Sequence, residues 1–538
     1  MHQQDQIALY RNGIIHSTAD PYASAMLVEN GHVAWVGGEE AASSLADSQM
    51  RVIDLEGGFI APSFVDSHVH LTETGLGVEQ VDLSTAASAQ DMLAKVAAWA
   101  DARPDAELIL GRSWDHSWWQ DITLPTAQEL SNAAGGRVVV LDRVDLHSGL
   151  FSSAALQAAG IDSDEAWHAE DDYTAIRAAV LNFDAKKREY FQRQAIRQFH
   201  ANGYTAAAQM GTDFGGGDTD YTAFAALVND SELGFDLYGY KGHLITEEDQ
   251  ISSLQQQWGS ALTGIGGDLC IDGSIGSGTA LLRDPYAVSD QGPQNRGEQL
   301  LTETELETHL RLCTSAGVQT AFHVIGDGAL EVLLNTLEKV EKATGLPAIQ
   351  RCAHRIEHLE MATGEDIKRI ARFGLVASMQ PLFDHYWAAD MYELRLGAER
   401  ASLMNPVGQL LAEGVLVAFG SDTPVTHING WDSIAAAMNL RNTNAQISAR
   451  AGFKAHTMSG YRAVGESRPM AGMLVPGARA DFAIWDADEL TVQSSASRAA
   501  AWSTDVRSRT PLLPVLEKEG TRPKLRETFH AGRRVYQA

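Results

Sequence analysis

GGFIAPSFVDSHVHL, residues 57–71, begins as an apolar strand and ends on two histidines separated by one valine. Successive side chains of a strand point to opposite faces, so His68 and His70 share a side and point together into whatever the strand encloses. Paired imidazoles at a strand end have the geometry of metal ligands. Three later apolar segments end in the same way: His323 in TAFHVIGDGA, His358 in RIEHLE and Asp422 in AFGSDTPV.

Strand-like runs are expected near 60–66, 205–210, 235–241, 268–272, 318–324, 352–358, 374–379 and 415–421, with helix-like segments between them. That alternation belongs to the α/β class, and eight strands close a (β/α)8 TIM-like barrel. Each candidate ligand lies at the C-terminal end of its strand, the face on which such barrels carry their sites. A lone histidine is more often packed or solvated than ligating. Four at strand ends, joined by an aspartate at the last strand, point to a metal.

The first 60 or so residues read as short strands with NG turns, and the texture returns in GMLVPGARADFAIWDAD and ETFHAGRRVYQA. Neither end alone covers its apolar face, so the expected organisation is one small composite β-sandwich made from residues 1–60 and 466–538. It flanks a barrel over 61–465 whose first crossover, about 72–200, is too long for one helix and contains its own strand, RVVVLD. That span is read as an insertion after strand 1, folded against the barrel mouth. TDFGGGDTD, 212–220, reads as a loop.

Composition narrows the function. The chain has 538 residues, 44% hydrophobic and 21% charged, with no apolar run near the roughly 20 residues a membrane helix needs. No charged n-region followed by an apolar h-region opens the sequence, so a cytoplasmic location is expected. With 41 basic against 70 acidic residues, a net charge of −29 repels nucleic acid and anionic lipid surfaces. The partner expected is a small-molecule substrate, with a homodimer as the oligomer. Cys270, Cys313 and Cys352 form no CxxC and suggest neither a disulfide framework nor a thiolate zinc site.

Imidazoles with one carboxylate suit Zn2+ or a related divalent ion with a coordination position open to water. Coordination lowers the pKa of that water from about 15.7 towards 7, and the ion polarises a scissile carbonyl. Asp422 would take the proton and return it to the leaving group. The expected reaction is hydrolysis.

FVDSHVH, HVIGDGA, RIEH and GSDTPV together resemble the amidohydrolase superfamily. SWDHSWW, DRVDLHSGLFSSAAL, IDGSIGSGTALLRDPY and GMLVPGARADFAIWD are similar to amidohydrolase family 3, the subgroup that includes N-substituted formamide deformylases. The resemblance spans nearly the whole chain. It implies a distorted barrel with a composite sandwich, His68, His70, His323 and His358 as ligands, and Asp422 as ligand and proton shuttle. It further implies cleavage of a non-peptide C–N bond in an amide, formamide or cyclic amide. The alternative is a catalytically silent descendant that binds a ligand or partner.

One position departs from the family pattern. Two-metal relatives carry a bridging, carbamylated lysine a few residues before DGS, where this chain has Asp268 in GGDLCIDGS. One ion is therefore favoured over two. Asp268, Cys270 and Asp272 share a strand face by the period of two, which allows a carboxylate or thiolate bridge. In the plainer reading, Cys270 packs and Asp272 caps the following turn.

Trp114, Asp115, His116, Trp118 and Trp119 either line an entrance to the site or fill the insertion's own core. His147 either orients the substrate carbonyl or makes a structural hydrogen bond. Arg143 and Arg283 either bind a carboxylate or pair with the adjacent Asp142 and Asp284. GSIGSG, 273–278, is a candidate lid and lacks the ending of a phosphate loop.

Overall fold

The strand carrying the histidine pair, β1 (Phe64–Val69), is the first of eight parallel strands in a computed structural model that describes residues 7–211, 217–289, 291–491, 510–516 and 522–538. The others are β2 (Tyr204–Met210), β3 (Asp236–Lys241), β4 (Gly264–Cys270), β5 (Thr320–Val324), β6 (Arg355–His358), β7 (Val376–Met379) and β8 (Leu416–Phe419). They lie side by side in chain order. A parallel bridge between Val69 and Thr423 joins the two edges into a barrel. Every residue of β1 and of β2 is buried, as expected for strands covered on both faces.

Two glycine positions shape the part of the barrel that carries the ligands. Gly420 lets β8 close on β1, because a Cβ there would lie 2.6 Å from the His68 backbone nitrogen. Asp66 secures the junction by accepting from the Ser421 N–H at 2.9 Å. In β4, Gly266 and Gly267 have φ of 108° and 62°, and the pairing with β5 shifts register between Ile265 and Leu269. This irregularity re-aims the following side chains, as bulges do.

The expected first strand over 60–66 is in fact two strands. Phe59–Pro62 pairs antiparallel with Phe482–Trp485 in a five-stranded sheet outside the barrel, and β1 begins only at Phe64. Pro62 has no N–H to donate to a ladder, which suits it to the end of a strand. The same sheet holds Ile14–Ile15, Lys524–His530 and Arg533–Gln537, so segments from both ends of the chain share it. A four-stranded sheet of His32–Gly37, Ala25–Glu29, Ile7–Arg11 and Arg51–Asp54 lies against it. Tyr10, Ile60, Phe482 and Phe529 fill the space between, with the last two rings stacked 4.5 Å apart.

Between β1 and β2 the chain builds its own five-stranded sheet, of Val81–Asp82, Leu108–Trp114, Val138–Arg143, Ser148–Phe151 and Trp167–Ala169. Helices including Ala89–Ala102 and Ala127–Ala133 bury a separate core against it. Helix Ala185–His200 then returns the chain to β2. Of the expected loop at 212–220, residues 212–216 lie outside the described residues, and Gly217 onward belongs to the helix Gly217–Val228. No helix among the described residues is long and apolar enough to cross a membrane.

A Cβ at position 267 would lie 2.4 Å from the Gly211 carbonyl oxygen, in a left-handed backbone conformation. Gly267→Ala is expected to destabilise the protein by about 2 kcal/mol or more, read by denaturant unfolding, and to lower its metal content.

Candidate metal centre

His68 and His70 bring their Nε2 atoms to 3.3 and 3.2 Å from Oδ1 of Asp422, which stands just beyond β8. Asp268, re-aimed by the break in β4, divides its carboxylate across the cluster. Its Oδ2 is 3.7 and 3.4 Å from Nε2 of His68 and His70, and its Oδ1 is 3.6 Å from Nδ1 of His323 and 3.5 Å from Nε2 of His358. The six side chains therefore face one another at the C-terminal mouth of the barrel.

What turns the cluster into a cation site is the other nitrogen of each ring. His68 Nδ1 lies 2.8 Å from Glu357 Oε2, and His70 Nδ1 lies 3.1 Å from the Met210 carbonyl. His323 Nε2 lies 3.2 Å from the Gly273 carbonyl, and His358 Nδ1 lies 3.0 Å from Gln380 Oε1. These oxygens only accept, so in each neutral ring the outer nitrogen carries the proton and the inner nitrogen presents its lone pair. Outer acceptors of this kind orient metal-binding histidines and fix their tautomers.

Asp268 Oδ1, His358 Nε2 and Asp422 Oδ1 are buried without a hydrogen-bond partner. Unmatched buried polar atoms are costly, and a bound divalent ion would satisfy all three. Burial works to lower His70, but the carboxylates of Asp268 and Asp422 outweigh it and lift the ring to about 9. Burial likewise works to raise Asp422, and the neighbouring His68 and His70 hold it well below the usual carboxylate range. The donor set fits a divalent ion.

His358 and Asp422 have φ of 70° and 54°, in the left-handed region that non-glycine residues seldom occupy. Strain of this kind gathers at functional sites and is held in place by surrounding contacts. The sequence reading passed over two of those contacts. Arg355 and Glu357 are fully buried in β6, joined at 2.7 Å, and Arg355 also donates to the Ser67 carbonyl at 2.6 Å. Burial alone would raise Glu357, but Arg355 brings it down to about 2, so it stays ionised against His68. Their signal was present in RIEH, where the strand period puts two opposite charges on one inward face.

Beside the cluster, His323, His358 and Asp422 line a small chamber open to solvent. The insertion supplies one wall, with Asp115, Arg143, Asp145 and His147, and Phe383, Trp387 and Met391 supply an apolar one. Asp115, Val144, Trp387, Met391 and Val425 are shared with a larger groove leading outward.

His147 stands with its ring 5.2 Å from that of His323, and its Nδ1 is 3.2 Å from Glu170 Oε2. Burial works to lower His147, but Glu170 raises it to about 9. Arg143 is not paired with Asp142; Asp115 and Asp145 take its guanidinium at 2.8 and 2.5 Å. GSIGSG is not a free lid. The hydroxyls of Ser274 and Ser277 donate to Asp145 at 3.1 and 2.9 Å and fasten the loop to the insertion.

Two candidate substrate residues lie away from the chamber. Trp114 is fully buried in the insertion's core and donates its indole N–H to the Leu141 carbonyl at 2.9 Å. Trp119 joins it in that core, whereas Trp118 is 47% exposed in the outer groove. Arg283 is gripped by both oxygens of Asp366 and by Glu331, not by Asp284. Its charge is spent between helices, since side chains of the helices Asp327–Thr344 and Gly364–Phe373 reach it before any ligand does. Asp272 caps backbone, accepting from the N–H groups of Leu281, Ile325 and Gly326, while Cys270 stays close to its own strand.

The amidohydrolase family model matches residues 51–536. The chain belongs to the amidohydrolase family. It is 29% identical to Protein LONG AFTER FAR-RED 3 of Arabidopsis thaliana, over 92% of this chain and 90% of that protein. It is also 23% identical to the N-substituted formamide deformylase of Arthrobacter pascens, over 87% of this chain and 90% of the relative. In fold it is similar to a metal-dependent hydrolase from Pyrococcus furiosus, with a TM-score of 0.71 and 24% identity over 90% of this chain and 99% of that one. This amidohydrolase thus pairs a family barrel with an aspartate at the strand-4 position.

Glu357→Gln keeps the shape of the carboxyl but removes the charge that fixes the His68 tautomer. It is expected to weaken metal affinity about 10–100-fold, measured by competition with a chromogenic chelator.

Proposed function

We propose that this amidohydrolase hydrolyses a non-peptide C–N bond of a small molecule, in an amide, formamide or cyclic amide. The observation that carries the reading is the convergence of four inward imidazole nitrogens and two carboxylates beside a chamber with an apolar wall. The Arthrobacter pascens relative, an N-substituted formamide deformylase, supports that choice of bond.

His68, His70 and Asp422 would hold one divalent ion, and His323 and His358 a second. Asp268 would bridge them, since its two oxygens face different histidine pairs. This revises the expectation of a single ion: a short carboxylate, re-aimed by the glycine break in β4, can occupy the bridging place of a longer lysine. Zn2+ suits imidazole and carboxylate donors. When bound, such ions supply Lewis-acid polarisation of the carbonyl and acidify the attacking water.

The chain's own groups do the rest. Asp422 accepts the proton of the attacking water and passes it to the departing nitrogen, so that the amine leaves neutral. His147, held by Glu170 on the side remote from the chamber, presents its other nitrogen to the substrate carbonyl and orients it. The apolar wall receives the body of the substrate and excludes bulk water from the reacting bond.

Elemental analysis of the purified protein should find about two divalent ions per chain, and Asp268→Ala should reduce that number. One ion per chain, unchanged in the variant, would reject the bridge. Asp422→Asn should lower kcat by about 100-fold or more with a much smaller change in KM, assayed on N-formyl, N-acetyl and lactam substrates. Absence of metal-dependent amine or acid release from every member of that panel would reject the hydrolase reading.

A further inference from the structure

We infer that Glu360 and Tyr392 form a subsite that binds an N–H donor of the substrate, an amine or amidine nitrogen, at the apolar wall of the chamber. The inference rests on the proposed hydrolase function only in calling that ligand the substrate. Glu360 follows β6 and is 3% exposed, and Tyr392 is 1% exposed. Both line the chamber. Glu360 Oε2 and the Tyr392 hydroxyl are buried and face each other without forming a well-shaped hydrogen bond.

The other charged groups of the chamber outside the ligand cluster are already matched. Arg143 is held between Asp115 and Asp145, and His147 is held by Glu170. Glu360 has no ion pair among the described residues; what meets its carboxyl group is the neutral Tyr392 hydroxyl. Its backbone is fixed, because its carbonyl accepts from the Asn405 N–H at 2.8 Å. Around it stand Ile325, Phe383, Trp387 and Met391, whose only N–H donor is the Trp387 indole.

A ligand with a purely apolar body would leave Glu360 only the Tyr392 hydroxyl, and an anionic one would meet a carboxylate with Arg143 already doubly engaged. A flat or apolar body carrying an N–H donor gives Glu360 a partner while covering the apolar side chains of this wall. The Phe383 and Trp387 rings, 4.8 Å apart, add faces that attract a cationic nitrogen.

The test uses the metal-loaded, full-length protein and two probes of matched shape: benzamidine, which has N–H donors, and acetophenone, which has none. Calorimetry should show benzamidine binding about tenfold or more tighter than acetophenone. Glu360→Gln, checked for fold by circular dichroism and for metal content, should remove most of that preference while leaving acetophenone affinity unchanged. Equal affinity of the wild-type protein for the two probes would overturn the inference, as would unchanged benzamidine affinity in a folded, metal-loaded variant. If the variant does not fold, the wild-type comparison decides. Benzamidine selectivity without hydrolysis of the amide panel would uphold the subsite and reject the hydrolase reading; hydrolysis without selectivity would do the reverse.

Discussion

Four imidazoles whose outer nitrogens are held by acceptors cannot turn their lone pairs away from one another. Glu357, the Met210 and Gly273 carbonyls and Gln380 impose that arrangement, and Asp268 and Asp422 add two buried carboxylates to the same space. Polar atoms buried in this way are expensive unless something positive joins them. The positive φ at His358 and Asp422, the buried Arg355–Glu357 pair and the glycine break in β4 all serve to hold this otherwise unfavourable cluster together.

The barrel and its insertion divide the work. Barrel strands deliver the ligand cluster, because a closed ring of strands brings distant segments to one mouth. The insertion delivers Asp115, Arg143, Asp145 and His147, a wall the barrel lacks. Two seams join them: Asp145 to Ser274 and Ser277, and Thr279 to Glu170, which in turn holds His147. Chamber shape therefore depends on the contact between two separately packed cores, and specificity is set by what the insertion and the loops present.

Several features were legible without coordinates because they follow from local periodicity. Eight apolar runs separated by helical segments implied the barrel, and the polar residues at their ends marked its working face. Other features depended on contacts between distant parts of the chain. Trp114 and Arg283 carried the right chemistry for substrate binding, yet Leu141 in one case and Asp366 with Glu331 in the other claim their polar groups. Glu360 left no mark in the sequence beyond one more glutamate after RIEH. Its character comes from the apolar side chains around it and from a tyrosine hydroxyl, with no cation, as its neighbour.

By itself the sequence determined that eight strand-like runs alternate with helices, which ligand types stand near their ends and that the chain resembles the amidohydrolase family, since these can be read from residue order along the chain. Tertiary structure alone decided that Asp268 faces both histidine pairs, that Asp272 does not, and that His147 arrives from outside the barrel. The physical reason is that a side chain's direction at a glycine bulge, and its nearest charge in a folded chain, are set by through-space packing rather than by position along the strand.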